Sequence, residues 1–139
     1  MATLARDLME TQVLTIPAEM RFLEIQHLFV VAQVYGAPVV DAGGKVVGLL
    51  SAIDLLGAAD QAFDEDADAG EPQDLAARLE ALTATDLASP DVVWVSPEMP
   101  VDRVAELMGR EGIHRVLVGE DGQLLGILTT FDLLQAVRA

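Results

Sequence analysis

Short aliphatic segments and helical periodicities alternate along this chain, and the alternation occurs twice. Apolar runs of three to five residues are typical of short strands, and they lie at residues 13–15, 38–40, 46–50, 92–95, 116–118 and 124–128. Between strands the spacing changes to the i, i+3, i+4, i+7 of an amphipathic helix, as in Val101, Val104, Ala105 and Met108. Each half of the chain is therefore predicted to run strand, helix, strand, strand, helix.

Turn and cap residues mark the ends of these elements. Gly43-Gly44 and Asp121-Gly122 supply the positive φ that a tight hairpin requires. Ser51 and Thr129 are suited to cap the last helix of each half. Short lead-in helices are predicted at residues 4–9 and 75–88.

The two halves form an internal repeat. Residues 48–56 read GLLSAIDLL and residues 126–134 read GILTTFDLL, an offset of 78. The segments 40–48 and 118–126 match at the same offset, and residues 15–17 match 95–97 at an offset of 80. Three anchors in one order indicate two copies of a unit. The predicted division is residues 1–56, a flexible acidic linker over 57–74 with seven acids and no base, and residues 75–139.

Composition and charge narrow the function classes. The chain has 23 acids against 8 bases, and the formal net charge of −15 repels phosphate backbones, which argues against nucleic-acid binding. It has no cysteine, so neither a disulfide framework nor thiolate chemistry is expected. No apolar run approaches the roughly 20 residues of a membrane span. A cytoplasmic protein without membrane contact is expected.

The repeated motifs resemble those of the cystathionine-β-synthase (CBS) family, in which two repeats form a Bateman module. The resemblance implies an α+β fold of the CBS-pair type, with two β-α-β-β-α repeats packed sheet to sheet in approximate two-fold symmetry. It implies a stand-alone regulatory module that binds AMP, ADP, ATP or S-adenosylmethionine in the inter-repeat cleft. No cofactor is required, and a homodimer and an unidentified regulated protein partner are expected. The open alternative is a scaffold or protein-interaction module that binds no nucleotide.

The resemblance also implies a set of ligand-binding residues. Asp54 and Asp132 end the Gly-x-x-Ser/Thr-x-x-Asp elements, where the family uses a carboxylate to accept hydrogen bonds from ribose hydroxyls. The alternative is that each aspartate only favours the first turn of a helix. Ser51 and Thr129 would contact phosphate at a helix N-terminus, a role compatible with a plain N-cap. Thr15 in repeat one and Val95 in repeat two complete the implied set.

A basic pair occurs in repeat two alone. His114 and Arg115 resemble the family's His-Arg-apolar-Pro-Val stretch, which faces ligand phosphates, although Leu117 replaces the usual proline. The alternative is a surface arginine paired with one of the many acids. At the same offset repeat one has Gly36-Ala37. By resemblance, Asp54 works with the basic pair of the other repeat, so two unequal clefts are expected.

No residues carry a pattern for catalysis. The chain has no Gly-x-Ser-x-Gly element, no P-loop and no spaced acid–base pair, so an enzyme is not expected. Two histidines without cysteines give no zinc constellation, and His27 is interpreted as a core or helix-edge residue.

Overall fold

The computed structural model describes residues 2–69 and 72–137, without the side chains of residues 65–69 and 72–74. Its elements confirm the predicted α+β class, and each repeat runs strand, helix, strand, strand, helix. In chain order they are α1 (Ala5–Leu8), β1 (Ile16–Pro17), α2 (Phe22–Ala32), β2 (Gly36–Val40), β3 (Val46–Ser51), α3 (Ala52–Ala69), α4 (Pro72–Glu80), α5 (Ala84–Leu87), β4 (Trp94–Val95), α6 (Val101–Glu111), β5 (Arg115–Glu120), β6 (Gln123–Thr129) and α7 (Thr130–Val137).

The strands form two three-stranded sheets of identical topology. In each sheet the first strand runs parallel to the middle strand, and the hairpin that follows is antiparallel. Ile16 pairs with Val39 in the first sheet, and Val95 pairs with Val118 in the second. The parallel pair in each sheet is joined through one helix, the crossover that a parallel connection requires.

The chain forms two compact units, and each unit contains one repeat together with the lead-in segment that precedes the other repeat in the sequence. Unit 1 comprises Met1–Val13 with Val92–Ala139, and unit 2 comprises Leu14–Asp91. In unit 1, the N–H of Glu10 donates to the Ile127 carbonyl at 2.9 Å, and the reverse bond is 3.0 Å. In unit 2, Leu49 and Ser89 exchange two backbone hydrogen bonds of 2.9 Å. The segment before each repeat therefore packs on the sheet of the other repeat, so the predicted boundaries mark sequence repeats and not compact units.

Each unit has its own small aliphatic core. Ile25 and Leu50 are fully buried in unit 2, and Val104 and Leu128 are fully buried in unit 1. Burying one such side chain contributes about 1.5–3 kcal/mol. Helix α2 contributes Phe22, Ile25 and Phe29, which are the i, i+3, i+7 positions of its buried face.

The segment predicted as a flexible linker is largely helical, which corrects the sequence-based expectation. Helix α3 continues to Ala69, and α4 begins at Pro72; Gly70 and Glu71 lie outside the described residues. Alanine is the best helix former, and Ala62 is buried although the segment has few large apolar residues. Although α3 has 18 residues, neither it nor any other helix in the described ranges is long and apolar enough to cross a membrane.

Helix α4 also completes the N-terminus of α2. The carboxylate of Glu80 accepts a hydrogen bond from the backbone N–H of Leu23 at 2.9 Å. The guanidinium of Arg21 donates to the Glu80 carbonyl at 2.8 Å. Glu80 therefore satisfies one of the N–H groups that a helix start leaves unpaired.

Candidate functional site

Ser51 and Asp54 form a closed cap at the start of α3. The backbone N–H of Ser51 donates to Asp54 Oδ2 at 2.8 Å, and its hydroxyl donates to the same oxygen at 3.0 Å. In return, the N–H of Asp54 donates to Ser51 Oγ at 3.3 Å. The N-cap function predicted for Ser51 is confirmed.

Thr129 and Asp132 repeat this cap at the start of α7. The three corresponding hydrogen bonds are 2.8, 3.1 and 3.3 Å. In both caps the bonds to the carboxylate go to Oδ2. Both aspartates are half-buried. Each carboxylate is thus fixed through Oδ2 at the start of its own helix.

His114 and Arg115 lie beside the Thr129 cap within unit 1. Arg115 is the first residue of β5, and its register partner on β6 is Thr129. The His114 carbonyl accepts hydrogen bonds from the N–H of Thr130 at 3.0 Å and from its hydroxyl at 3.2 Å. His114 is exposed and Arg115 is half-buried. Four of the predicted site residues, His114, Arg115, Thr129 and Asp132, are therefore neighbours.

The sheet register changes the residue that corresponds to His114 in repeat one. Gly36 is the register partner of Ser51, as Arg115 is of Thr129. The carbonyl of Tyr35 accepts from the Ala52 N–H at 2.8 Å, as that of His114 does from Thr130. Tyr35 and Gly36, not Gly36 and Ala37, are thus the equivalents of the basic pair. The first hairpin turn is one residue longer, so the offset is 79 before the turn and 78 after it.

Tyr35 was not among the predicted site residues, although the C-caps of α2 and α6 indicate its position. The C-cap residues of α2 and α6 are Gln33 and Gly112, and both are in the left-handed conformation, with φ of 56° and 67°. Counting forward from these caps gives the offset of 79. The Tyr35 side chain is 68% exposed, so unit 2 presents a phenol where unit 1 presents an imidazole.

Thr15 and Val95 differ in accessibility. Thr15 directly precedes β1 in unit 2 and is half-buried. Val95 is 3% exposed and packs in the core of unit 1, so its backbone is what it can offer a ligand. His27 is exposed on α2, so it is a helix-edge residue and not a core residue. No group of side chains suited to hold a metal ion occurs in the described part of the chain.

A third cap of this type lies at α5, outside the predicted site. The N–H and the hydroxyl of Thr83 donate to Asp86 Oδ2 at 2.9 and 3.0 Å. The backbone hydrogen bond first, and then the hydroxyl bond, hold the pKa of Asp86 below its ordinary value. Because this carboxylate is exposed and only caps a four-residue helix, the aspartate cap by itself does not define a ligand site.

Comparison with known proteins agrees with this architecture. The CBS domain model matches residues 5–60 and 84–139. The chain is 34% identical over 113 residues to subunit gamma-3 of the 5′-AMP-activated protein kinase of Bos taurus; the match covers 79% of this chain and 21% of that subunit. The chain thus spans about a fifth of the length of this relative.

Comparison with solved structures also identifies the fold of a pair of CBS domains. The CBS domain of a CBS-domain-containing membrane protein from Sphaerobacter thermophilus has a TM-score of 0.77 at 30% identity, with 96% of this chain and 87% of that chain covered. The protein CBSX2 in complex with AMP has a TM-score of 0.77 at 25% identity, with 97% and 96% covered. With most of its length matched in two copies, this chain belongs to the CBS domain family and carries one CBS domain in each half.

Proposed function

We propose that this chain is a regulatory module that binds an adenosine-containing small molecule, with AMP, ADP, ATP and S-adenosylmethionine as the candidates. The observation that carries the proposal is the pair of fixed aspartates, Asp54 and Asp132, each held through Oδ2 at the start of its own helix in both copies of the repeated motif. The similarity to a subunit of an AMP-activated kinase and to a protein in complex with AMP supports the ligand class.

The cap geometry indicates which part of the ligand each site residue would contact. Oδ1 of Asp54 or Asp132 accepts the hydrogen bonds of the ribose hydroxyls. The hydroxyls of Ser51 and Thr129 already donate to their aspartates, so phosphate contacts come from backbone N–H groups and from the basic pair. In a chain of net charge −15, Arg115 supplies the compensation that a phosphate needs.

Asp54 is the proposed ribose partner of the phosphate-bearing ligand, together with His114 and Arg115. Family resemblance supports this combination of residues from two repeats. The competing combination is Asp132 with the same basic pair, because Thr129 and Arg115 are register partners. The equivalents of the basic pair in unit 2 are Tyr35 and Gly36, and neither is a cation. Under either combination, one of the two aspartates therefore has no basic pair to work with, so the two candidate sites are unequal.

A calorimetric titration tests the ligand class directly. AMP, ATP, adenosine and S-adenosylmethionine are titrated into the protein, with GMP as the matched purine control. Saturable heat with an adenosine compound and a weaker response to GMP are expected. If no adenosine compound binds at millimolar concentration, the proposal fails. The scaffold alternative then stands, and the observation favouring it is that Ser51 and Asp54 already satisfy each other as a cap.

We also propose that two copies of the chain associate. Apolar side chains at equivalent positions of α3 and α7 are exposed to solvent. Ile53 on α3 is 72% exposed, and its equivalent Phe131 on α7 is 71% exposed. Leu56 is 65% exposed, and its equivalent Leu134 is 53% exposed. Neighbouring apolar side chains exposed together on one helix face are typical of an interaction surface. Light scattering at tens of micromolar should give twice the 14.8 kDa of one chain, and a mass of 14.8 kDa would overturn the dimer.

A further inference from the structure

The lead-in segment of the first repeat, residues 2–13, packs on unit 1 and is bonded to it through the backbone. We use the name strap for these residues. The N–H of Ala5 donates to the Met99 carbonyl at 2.8 Å, and the N–H of Val101 donates to the Thr3 carbonyl at 2.9 Å. These bonds attach the first half of the strap to the segment that leads into α6.

The second half of the strap pairs with β6, the edge strand of the second sheet. Glu10 and Ile127 exchange two backbone hydrogen bonds of 2.9 and 3.0 Å. Ile127 lies between Gly126 and Thr129, inside the repeated motif that leads into α7. The Met9 side chain lies against Gly126 of the same motif. The motif that carries the Thr129 cap is therefore also the surface on which the strap packs.

The strand position that binds the strap is two residues from the candidate ligand residues. Ile127 and Thr129 on β6 have Leu117 and Arg115 as their register partners on β5. Residues two apart on a strand have their side chains on the same face of the sheet. Leu117 is fully buried and Ile127 is 9% exposed, so this part of the sheet is tightly packed. A shift of the β6 backbone at Ile127 would therefore also displace Thr129 relative to Arg115.

Few apolar side chains hold the strap in place. Among residues 2–13, Ala5 is buried, whereas Leu8 and Met9 are half-buried and the other residues are exposed or half-buried. A segment with few buried apolar contacts opens locally at a lower free energy than the whole fold requires. We therefore expect the strap to open while the rest of unit 1 stays folded.

We infer that closure of the strap is linked to nucleotide binding: the bound nucleotide holds the strap closed, and an open strap weakens binding. The inference rests on the proposed function and adds a regulation of that site. When the strap opens, the N–H and the carbonyl of Ile127 lose their protein partners at a sheet edge, so the backbone that carries the Thr129 cap is less constrained. A ligand that contacts this cap or Arg115 therefore binds the closed form more tightly. By linkage, it stabilises closure by the same factor.

Trypsin tests the linkage in the wild-type protein, because Arg6 lies in the strap and is the first trypsin site of the chain. When opening and closing are fast, the rate of cleavage after Arg6 follows the population of the open strap. Saturating AMP should slow this cleavage about five- to a hundredfold. Lys45, which is exposed between β2 and β3 in unit 2, is the internal control, and the rate of cleavage after it should not change. Mass spectrometry separates the two cleavage products.

The variant Ala5→Asp gives the reciprocal test, because a carboxylate at this fully buried position should open the strap. Ala2→Asp is the matched control, with the same charge at an exposed position. In calorimetry, Ala5→Asp should weaken AMP binding by the factor by which AMP slows cleavage of the wild type, and Ala2→Asp should leave binding unchanged. The fluorescence of Trp94, which lies in unit 1, shows whether that unit stays folded.

AMP binding to the wild type without slower cleavage after Arg6 would overturn the linkage and leave the proposed function intact. Equal AMP affinities of Ala5→Asp and the wild type, with unit 1 folded in both, would overturn it as well. The protease measurement uses the wild-type chain and so remains decisive if Ala5→Asp does not fold. A lack of AMP binding in calorimetry would instead overturn the proposed AMP site, and with it the linkage, so the two failures are distinguishable.

Discussion

Met9 lies so close to Gly126 that a Cβ atom on residue 126 would stand 2.6 Å from the Met9 sulfur and 2.9 Å from the Glu10 carbonyl oxygen. The equivalent Gly48 is approached in the same way, with its virtual Cβ 2.9 Å from the Ser89 carbonyl oxygen. Neither glycine has a positive φ. The first glycine of the repeated motif is therefore required by the lead-in segment that crosses the sheet, and not by a turn.

Gly48→Ala should lower the free energy of unfolding by about 1–3 kcal/mol, because the new methyl group meets backbone that cannot rotate away. Gly57→Ala is the matched control: it lies in α3 with no atom within 4 Å of its virtual Cβ. Alanine there should raise stability by about 0.5–1 kcal/mol. Urea unfolding of both variants measures the difference, and equal stabilities would contradict the close approach.

Ala5→Leu should destabilise unit 1 although residue 5 belongs to the first repeat. Ala5 is fully buried in the core of unit 1, and overpacking of such a site costs about 1–3 kcal/mol. Trp94, the one tryptophan of the chain, lies in unit 1, so its fluorescence follows that unit. The tryptophan transition in urea should move to lower concentration. The exposed control Ala2→Leu should change the free energy of unfolding by less than about 0.5 kcal/mol. A similar shift of the urea midpoint in both variants would argue against the packing of the first lead-in segment in unit 1.

Asp86→Ala should destabilise the protein near neutral pH, and this loss of stability should disappear in acid. The folded pKa of Asp86 lies below the ordinary aspartate value of about 3.9, because Thr83 bonds its charged form. The stabilisation is therefore fully present above the ordinary pKa, and it is lost as the pH falls through the lower folded pKa. Urea midpoints of wild type and variant, measured from about pH 6 to pH 2, should converge at the acid end. The exposed control Asp91→Ala should give a smaller difference at pH 6.

Arg115→Ala should weaken AMP binding about ten- to a hundredfold, because a hydrogen bond to a charged group contributes about 1.5–3 kcal/mol. Asp54→Asn should also weaken it, since the amide oxygen can keep the cap while an NH₂ group replaces the acceptor that faces the ribose. Asp132→Asn is the matched variant and should spare AMP binding. Calorimetry decides between the combinations: loss of binding in Asp132→Asn with retention in Asp54→Asn would assign the basic pair to Asp132.

Much of the candidate site could be predicted from the sequence because its parts are local. The Ser51–Asp54 and Thr129–Asp132 caps are each closed within four residues, so the motif spacing alone implied the helix starts. Tyr35 could not be identified in this way. Its equivalence to His114 depends on strand register across a hairpin turn that is one residue longer in repeat one. Gly48 and Gly126 were visible as a repeated motif, but nothing local showed what approaches them.

The sequence by itself determined the two repeats, the order of strands and helices within each, and the residues that begin the helices, because periodicity and caps depend on neighbours a few positions away. The tertiary structure decided which sheet each lead-in joins. Residues 1–13 and 84–91 carry the same short pattern, and only backbone pairing with Ile127 and with Leu49 assigns each to the opposite repeat. It likewise decided the helix beyond Gly57, since small alanines such as Ala62 stabilise it by burial against the rest of unit 2, and no local hydrophobic pattern records that contact.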